Sequence, residues 1–409
     1  MEMRAAEPAL RSAYASVRAR SLELVAPLSE EDAVVQSMPE ASPAKWHLAH
    51  TTWFFETFVL AAFPSYRTPD PAYAVLFNSY YESVGAQYPR ERRGMLTRPS
   101  LQEIHDYRRH VDAAMDDVLA HCGDEEPVTQ TVTLGLAHEQ QHQELMLTDI
   151  LHLLWLNPLQ PCYAPEPPPA ASPPRDLEWI EGPHGVVEVG DAGDGFTFDN
   201  ERPRHKVHLN PYAIAGRLVT NAEVRDFVTD GGYRRAQLWL SDGWAYAARE
   251  AWQRPLYWHE DLLHSFSLHG TCEIDDHAPA AHLSFYEADA IARWCGHRLP
   301  TEAEWEAAVG DLPVRHCLDL RPRADPRDGL REAFGACWQW TASAYLAYPG
   351  FRPQQGSLGE YNGKFMANQM VLRGSSCVTP PGHARATYRN FFHPHSRWQF
   401  SGLRLAKDC

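Results

Sequence analysis

The first part of the chain is patterned for helices. Leu10, Tyr14 and Val17 recur at helical spacing, and the stretches His47 to Phe58 and Leu101 to Leu119 carry the same period. Ser29-Glu-Glu-Asp32 reads as the capping-box start of a further helix, because a hydroxyl and an acid three residues on satisfy each other's free amides. The clearest run is Thr131 to Leu154, where Leu134, His138, Gln141, Leu145 and Thr148 fall along one side. Together these stretches predict a four-helix bundle over residues 1–156.

Proline then breaks the pattern. Residues 157–176 read NPLQPCYAPEPPPAASPPRD, eight prolines in twenty positions, which predicts an extended linker with few backbone donors. From 177 to 409 the texture is short β-like runs such as Gly185–Gly190 and Met370–Arg373, many turns and many tryptophans. Only a few helices are signalled there, by the boxes Thr220/Glu223, Ser284/Glu287 and Thr301/Glu304. The fold class is α+β, a helical bundle followed by a mixed domain.

Composition narrows the function. Of 409 residues 44% are hydrophobic and 22% charged, an ordinary globular balance. The 37 Lys+Arg against 53 Asp+Glu give a formal charge of −16, which argues against a nucleic-acid or anionic-membrane partner. No run approaches the length of a membrane span, and Met1 to Leu22 lacks the apolar core of a signal peptide. The eight cysteines are scattered without a C-x-x-C pair and fit reduced thiols, so a cytoplasmic protein is expected. The 21 histidines direct attention to metal ligands.

His138-Glu-Gln-Gln-His142 places two imidazoles one helical turn apart, on one face. The same five residues fit the zinc-protease pattern, in which the glutamate is the general base. A third histidine is offered upstream by Lys45-Trp-His47-Leu-Ala-His50-Thr-Thr-Trp53. One histidine from that helix plus two from the other makes a three-His set with open positions, which suits non-haem iron(II) chemistry or zinc hydrolysis. Phe77-Asn-Ser-Tyr80-Tyr81-Glu-Ser-Val-Gly85 lies between them, and paired tyrosines near a metal can supply a proton or simply pack. Arg90 to Arg93 offers forks for a carboxylate.

Residues 45–53, 78–85 and 138–144 resemble the DinB-like domain of the ergothioneine-biosynthesis sulfoxide synthases. Gly296–Glu306, Trp338-Gln-Trp-Thr341, Val371–Ser375 and Arg397–Leu405 resemble a formylglycine-generating-enzyme-type, C-type-lectin-like domain. The resemblance runs along nearly the whole chain and implies an iron(II) enzyme that uses O2 to join sulfur, from cysteine or a related thiol, to the imidazole of hercynine as a sulfoxide. It implies His50, His138 and His142 as iron ligands, with His47 a neighbour. It implies Gln141, Asn390 and Phe391 (where relatives often carry Trp) as hercynine contacts, and Tyr80 and Tyr81 as the catalytic tyrosine pair, with Tyr81 delivering the proton. Arg90 is implied as a group for the second substrate's carboxylate, and Thr387 to Phe392 as the floor over the iron, between the domains.

The chain also departs from the family. Arg373-Gly-Ser-Ser-Cys377 stands for Arg-Gly-Gly-Ser-Cys, and Trp338-Gln-Trp-Thr341 for Trp-Glu-Trp-Thr. Cys377 alone stands where copper-dependent formylglycine enzymes place a cysteine pair, so copper oxidase activity is not expected. Selenoneine synthases, relatives that attach a selenosugar to hercynine, form the alternative reading. A non-catalytic binding module on the same two domains is a third.

Overall fold

A computed structural model describes residues 6–122, 125–166, 171–193, 195–315, 319–354, 356–360 and 362–409. The chain divides into two compact units. One runs to Asn157 and includes the later segment 356–360; the other holds the remainder.

The first unit is built on four long helices: α1 (Ala6–Val25), α2 (Ala44–Phe58), α3 (Leu101–Cys122) and α4 (Glu126–Leu156). Helix α2 starts after Pro43 and is buried on every side from Ala44 to Glu56, so it is the bundle's central element. Helix α3 starts at a capping box, with Ser100 and Glu103 bonding each other's backbone amides. Helix α4 carries Pro127 in its first turn, where no intrahelical donor is lost. At 31 residues it is about 46 Å long and packs against both α1 and α2.

The helix expected from Ser29 does not form. The box itself is present, since Asp32 accepts from the Ser29 amide and Ser29 Oγ accepts from the Asp32 amide. It opens only one turn of 3₁₀ helix, Asp32–Val34, after which Val35 is extended. Val34-Val35 followed closely by Pro39 gives the turn no helix-forming run to propagate into.

The described residues of the 157–176 stretch contain neither helix nor strand; 167–170 lie outside the described residues. In the second unit, β1 (Trp179–Glu181), β4 (Tyr212–Ala215) and β11 (Ala406–Asp408) form one antiparallel sheet, with β4 central. A four-stranded sheet runs in the order β10 (Ser401–Leu403), β7 (Trp338–Ala344), β8 (Met370–Gly374), β9 (Asn390–Phe392). Strands β10 and β7 are parallel and the other pairs antiparallel. Hairpins β2–β3 (Gly185–Val189, His205–Leu209) and β5–β6 (His264–Ser267, Gly270–Glu273) complete the strands. All three predicted capping boxes open helices: α5 (Asn221–Thr229), α7 (Phe285–Trp294) and α8 (Glu302–Val309), with α6 (Ser241–Arg249) between the first two.

Both departures from the family lie inside this second unit's core. Gln339 accepts from Trp305 Nε1 and Arg404 Nε, each at 2.8 Å, and its amide donates to the carbonyls of Glu332 and Ala333. Glutamate there would lose those two donated bonds and meet the carbonyls with charge. Ser375 Oγ accepts from the Gly335 amide at 2.8 Å. Both side chains hold the interior together. No helix among the described residues is long and apolar enough to cross a membrane.

Candidate metal centre

Trp46, His50 and Trp53 follow one another along a single face of α2. The two indoles clamp the imidazole, with Trp46 stacked at 4.6 Å and 11° and Trp53 at 5.6 Å and 14°. Nδ1 of His50 donates to the Phe77 carbonyl at 2.6 Å, so its proton sits on Nδ1 and Nε2 is left bare. That Nε2 faces Nε2 of His138 across 3.3 Å. His138 and His142, one turn apart on α4, bring the third ring to the same point. Donor atoms of His50, His138 and His142 all lie within 4.8 Å of one another, and all three residues are buried.

Burial sets their protonation. Loss of solvation, with His138 and other nearby positive groups adding to it, holds His50 and His142 well below the usual histidine value. Burial also pushes His138 down to about 3, against the opposing charge of Glu139. At pH 7 the three rings are neutral, the form that coordinates a metal. Converging, oriented and neutral nitrogens fit a three-His metal site.

His47 stands outside this triangle but is tied to it. Its Nδ1 lies 2.8 Å from His142 Nδ1 and its Nε2 lies 3.0 Å from Asp149 Oδ2, which also accepts from the Ser42 amide. If His142 binds metal through Nε2, its proton is on Nδ1 and goes to His47 Nδ1. The proton of His47 is then on Nε2 and goes to Asp149. Each ring's tautomer fixes the next.

Glu139, the would-be base of the zinc-protease pattern, turns away from the site. It is fully buried and accepts from Arg18, Arg108 and the Ser21 hydroxyl. Burial works to raise its pKa, but Arg108 and Arg18 outweigh it and hold the carboxyl at about 2. A general base needs a pKa near working pH and reach to a water. Glu139 has neither and serves as the ionic tie between α1, α3 and α4.

The tyrosine loop sits beside the triangle. The Tyr80 hydroxyl is 3.4 Å from His138 Nε2, the nitrogen that faces His50. Tyr81 is buried and packs on Trp53, Phe58 and Tyr80. Gln141 shares the His138 face of α4 at i+3 and is half-buried. Arg90 is exposed and donates to the Glu40 carbonyl.

Of the arginines in the run 90–93, packing singles out Arg93. It is buried, lies flat over Trp46 at 3.4 Å, and donates to Ser42 Oγ and Ser79 Oγ. Among the described residues it has no carboxylate partner, and its Nε has no acceptor. Burial, with Arg90 adding, lowers it to about 9. Nothing in the run Arg90-Glu-Arg-Arg93 distinguishes it; only packing does.

In the second unit, Asn390 Oδ1 accepts from the Phe391 amide at 2.9 Å, which leaves Nδ2 as the group able to donate. Phe391 stacks on Tyr345 at 4.0 Å and 10°.

Residues 13–146 match the DinB superfamily, and residues 166–312 and 325–409 match the sulfatase-modifying factor enzyme 1-like domain. A hercynine oxygenase of Mycolicibacterium smegmatis is 30% identical over 98% of this chain and 99% of its own. One of Mycolicibacterium thermoresistibile is 31% identical over 96% and 93%. A formylglycine-generating enzyme of Streptomyces coelicolor is 36% identical over 38% of this chain and 54% of its own. With both domains matched in order and oxygenases aligned from end to end, the chain belongs to the hercynine oxygenase family.

Proposed function

We propose that this chain is an iron(II)- and O2-dependent enzyme of ergothioneine biosynthesis that joins the sulfur of cysteine, or of a related thiol, to the imidazole of hercynine as a sulfoxide. One observation carries the reading: a buried three-His cluster with a tyrosine hydroxyl at its edge, in a chain that aligns along nearly its whole length with hercynine oxygenases. Iron(II) held by His50, His138 and His142 would supply the oxidising chemistry and leave positions for substrate and O2.

The chain's own residues do the rest. Tyr80 holds a proton at the metal-facing edge and delivers it during bond formation, while Tyr81 braces it from behind. Arg93, a buried cation with no internal carboxylate, takes the carboxylate of the thiol donor through its fork. This favours an amino-acid thiol over a selenosugar, which has no carboxylate to offer. Gln141, Asn390 and Phe391 hold hercynine, with Asn390 Nδ2 donating to its carboxylate. The trimethylammonium group gains from an aromatic face, for which Phe391 and Trp398 are candidates.

The test is a product analysis. Protein, Fe(II), O2 and hercynine are incubated with cysteine, γ-glutamylcysteine or a selenosugar, and the product is identified by mass. A hercynyl sulfoxide is expected with a thiol. A carbon–selenium product formed in preference would shift the reading to a selenoneine synthase. No product with any donor in iron-loaded protein would sink it.

A further inference from the structure

The loop that presents Tyr80 and Tyr81 has neither helix nor strand, so something other than a ladder of backbone hydrogen bonds must hold it. From inside the holder is Asn78, which is fully buried. Its Oδ1 accepts from the Tyr81 amide at 3.2 Å, and its Nδ2 donates to the carbonyls of Tyr81 and Gly85 at 3.0 and 3.2 Å. Asn78 therefore fixes the backbone of Tyr81 and closes the loop at Gly85. The two amides that follow Tyr81, those of Glu82 and Ser83, are beyond its reach.

Those amides are taken from outside by a segment about 275 residues further along the chain. Glu360 Oε2 accepts from the Glu82 amide at 2.9 Å and Oε1 from the Ser83 amide at 3.1 Å. The Ser83 hydroxyl also meets the Glu360 carboxylate, and it pairs with Ser357 Oγ at 2.7 Å. The geometry is specific: two successive amides and a hydroxyl converge on one carboxylate, a charge-assisted arrangement stronger than the usual surface pair. The segment 356–360 groups with the helical unit, although the stretches on either side of it belong to the other unit.

We propose that segment 356–360 is a latch on the tyrosine loop and that Glu360 is a positioning residue for Tyr80. The loop is pinned at Asn78 from within and at Glu360 from without, and the hydroxyl at His138 is set by both. The metal ligands sit on helices α2 and α4, which the latch does not touch in these contacts. The latch thus acts on proton delivery and leaves metal holding alone. This role rests on the proposed function only through the part given to Tyr80.

The full-length chain carrying Glu360→Ala or Glu360→Gln tests it. Amide exchange at Glu82 and Ser83 should rise about tenfold in Glu360→Ala, because both lose their acceptor. Metal affinity should stay within about twofold of wild type, and the hercynine KM likewise, while kcat falls about tenfold from a misplaced hydroxyl. Thiol oxidation without product should grow as a share of turnover. Glu360→Gln keeps one acceptor oxygen and should recover part of both the protection and kcat. Unchanged exchange in Glu360→Ala overturns the latch. Raised exchange with wild-type kcat and partition overturns the positioning role, and metal loss in step with kcat does the same. A wild-type enzyme that makes no product with any donor sinks the proposed function instead, and the exchange measurement still decides the latch.

Discussion

His47 and Asp149 test whether the centre depends on more than its three ligands. In His47→Ala the Nδ1–H of His142 loses its acceptor at 2.8 Å inside a buried site. An orphaned buried donor costs about 1–3 kcal/mol. Without metal, the His142 ring can escape that cost by moving its proton or turning. With metal on Nε2 it can do neither, so the penalty falls on the loaded form. Metal binding should therefore weaken by about 10- to 100-fold, equal to about 1.4–2.7 kcal/mol. Asp149→Ala should lose less, because His47 remains as the acceptor and only its orientation loosens. Asp149→Asn keeps an acceptor oxygen and should lose least. His138→Ala, by contrast, should abolish stoichiometric binding. Anaerobic competition of each variant against a chelator of known affinity for Fe(II) gives the ranking. Wild-type affinity in His47→Ala would show that the chain of rings does not orient His142. A loss equal to that of His138→Ala would make His47 a ligand. Either result would refute the reasoning.

Tyr80→Phe should keep hercynine affinity but lower kcat by about 10²- to 10⁴-fold and raise thiol oxidation; Tyr81→Phe, whose ring packs against Tyr80, should cost less, and steady-state kinetics with product partition separates them. Glu139→Gln leaves Arg108 buried without an ion-pair partner and Arg18 with Asp112 alone, so unfolding free energy should fall by about 3 kcal/mol at pH 7, read from denaturant titration. Because Glu139 is held at about 2, below the ordinary 4.5, its contribution is complete above about 4.5 and is lost as pH falls from there towards 2. The Gln variant should lack that part of the acid sensitivity. Asn390→Ala should weaken hercynine binding about tenfold in calorimetry, with metal content unchanged, since the lost bond is to a charged group.

Local patterns in the sequence carried the helices and the boxes, because each depends on residues within a few positions of one another. Thr220/Glu223, Ser284/Glu287 and Thr301/Glu304 close as their spacing requires. Ser29/Asp32 closes too, yet starts only a turn, since a cap lowers the cost of a helix without supplying its buried face. The histidine pair on α4 was legible from i,i+4 spacing. That His50 and not His47 completes the triangle rests on facing helices, and spacing left that open; the family resemblance supplied the choice. Which arginine of the run 90–93 is buried was not legible, and Glu360 was not legible at all. A buried cation looks like its exposed neighbours Arg90 and Arg92 until packing is known, and no sequence pattern links Glu360 to amides about 275 residues away. The two departures from the family pattern at Gln339 and Ser375 were legible, but their role was not. They satisfy backbone, tryptophan and arginine groups in the second unit's core.

His138-Glu-Gln-Gln-His142 shows why a motif needs its surroundings. The spacing is that of a zinc protease, and histidines in that pattern can bind metal in either chemistry. What separates the two is the destination of the carboxylate between them. A hydrolase needs Glu139 to face the metal's water with a pKa near neutral. Here α1 and α3 each place an arginine against it, and burial has raised the cost of leaving either charge unpaired. Both carboxylate oxygens are spoken for, and the group stays ionised far below working pH. With Glu139 committed to holding the bundle, the hydroxyl that reaches the triangle is that of Tyr80, to which the proposed function gives the proton transfer. A phenol is a poor base for activating water at pH 7 but a serviceable donor to a strongly basic oxygen. On the proposed function such a site gives a proton away, which serves reduction of O2 during bond formation rather than hydrolysis.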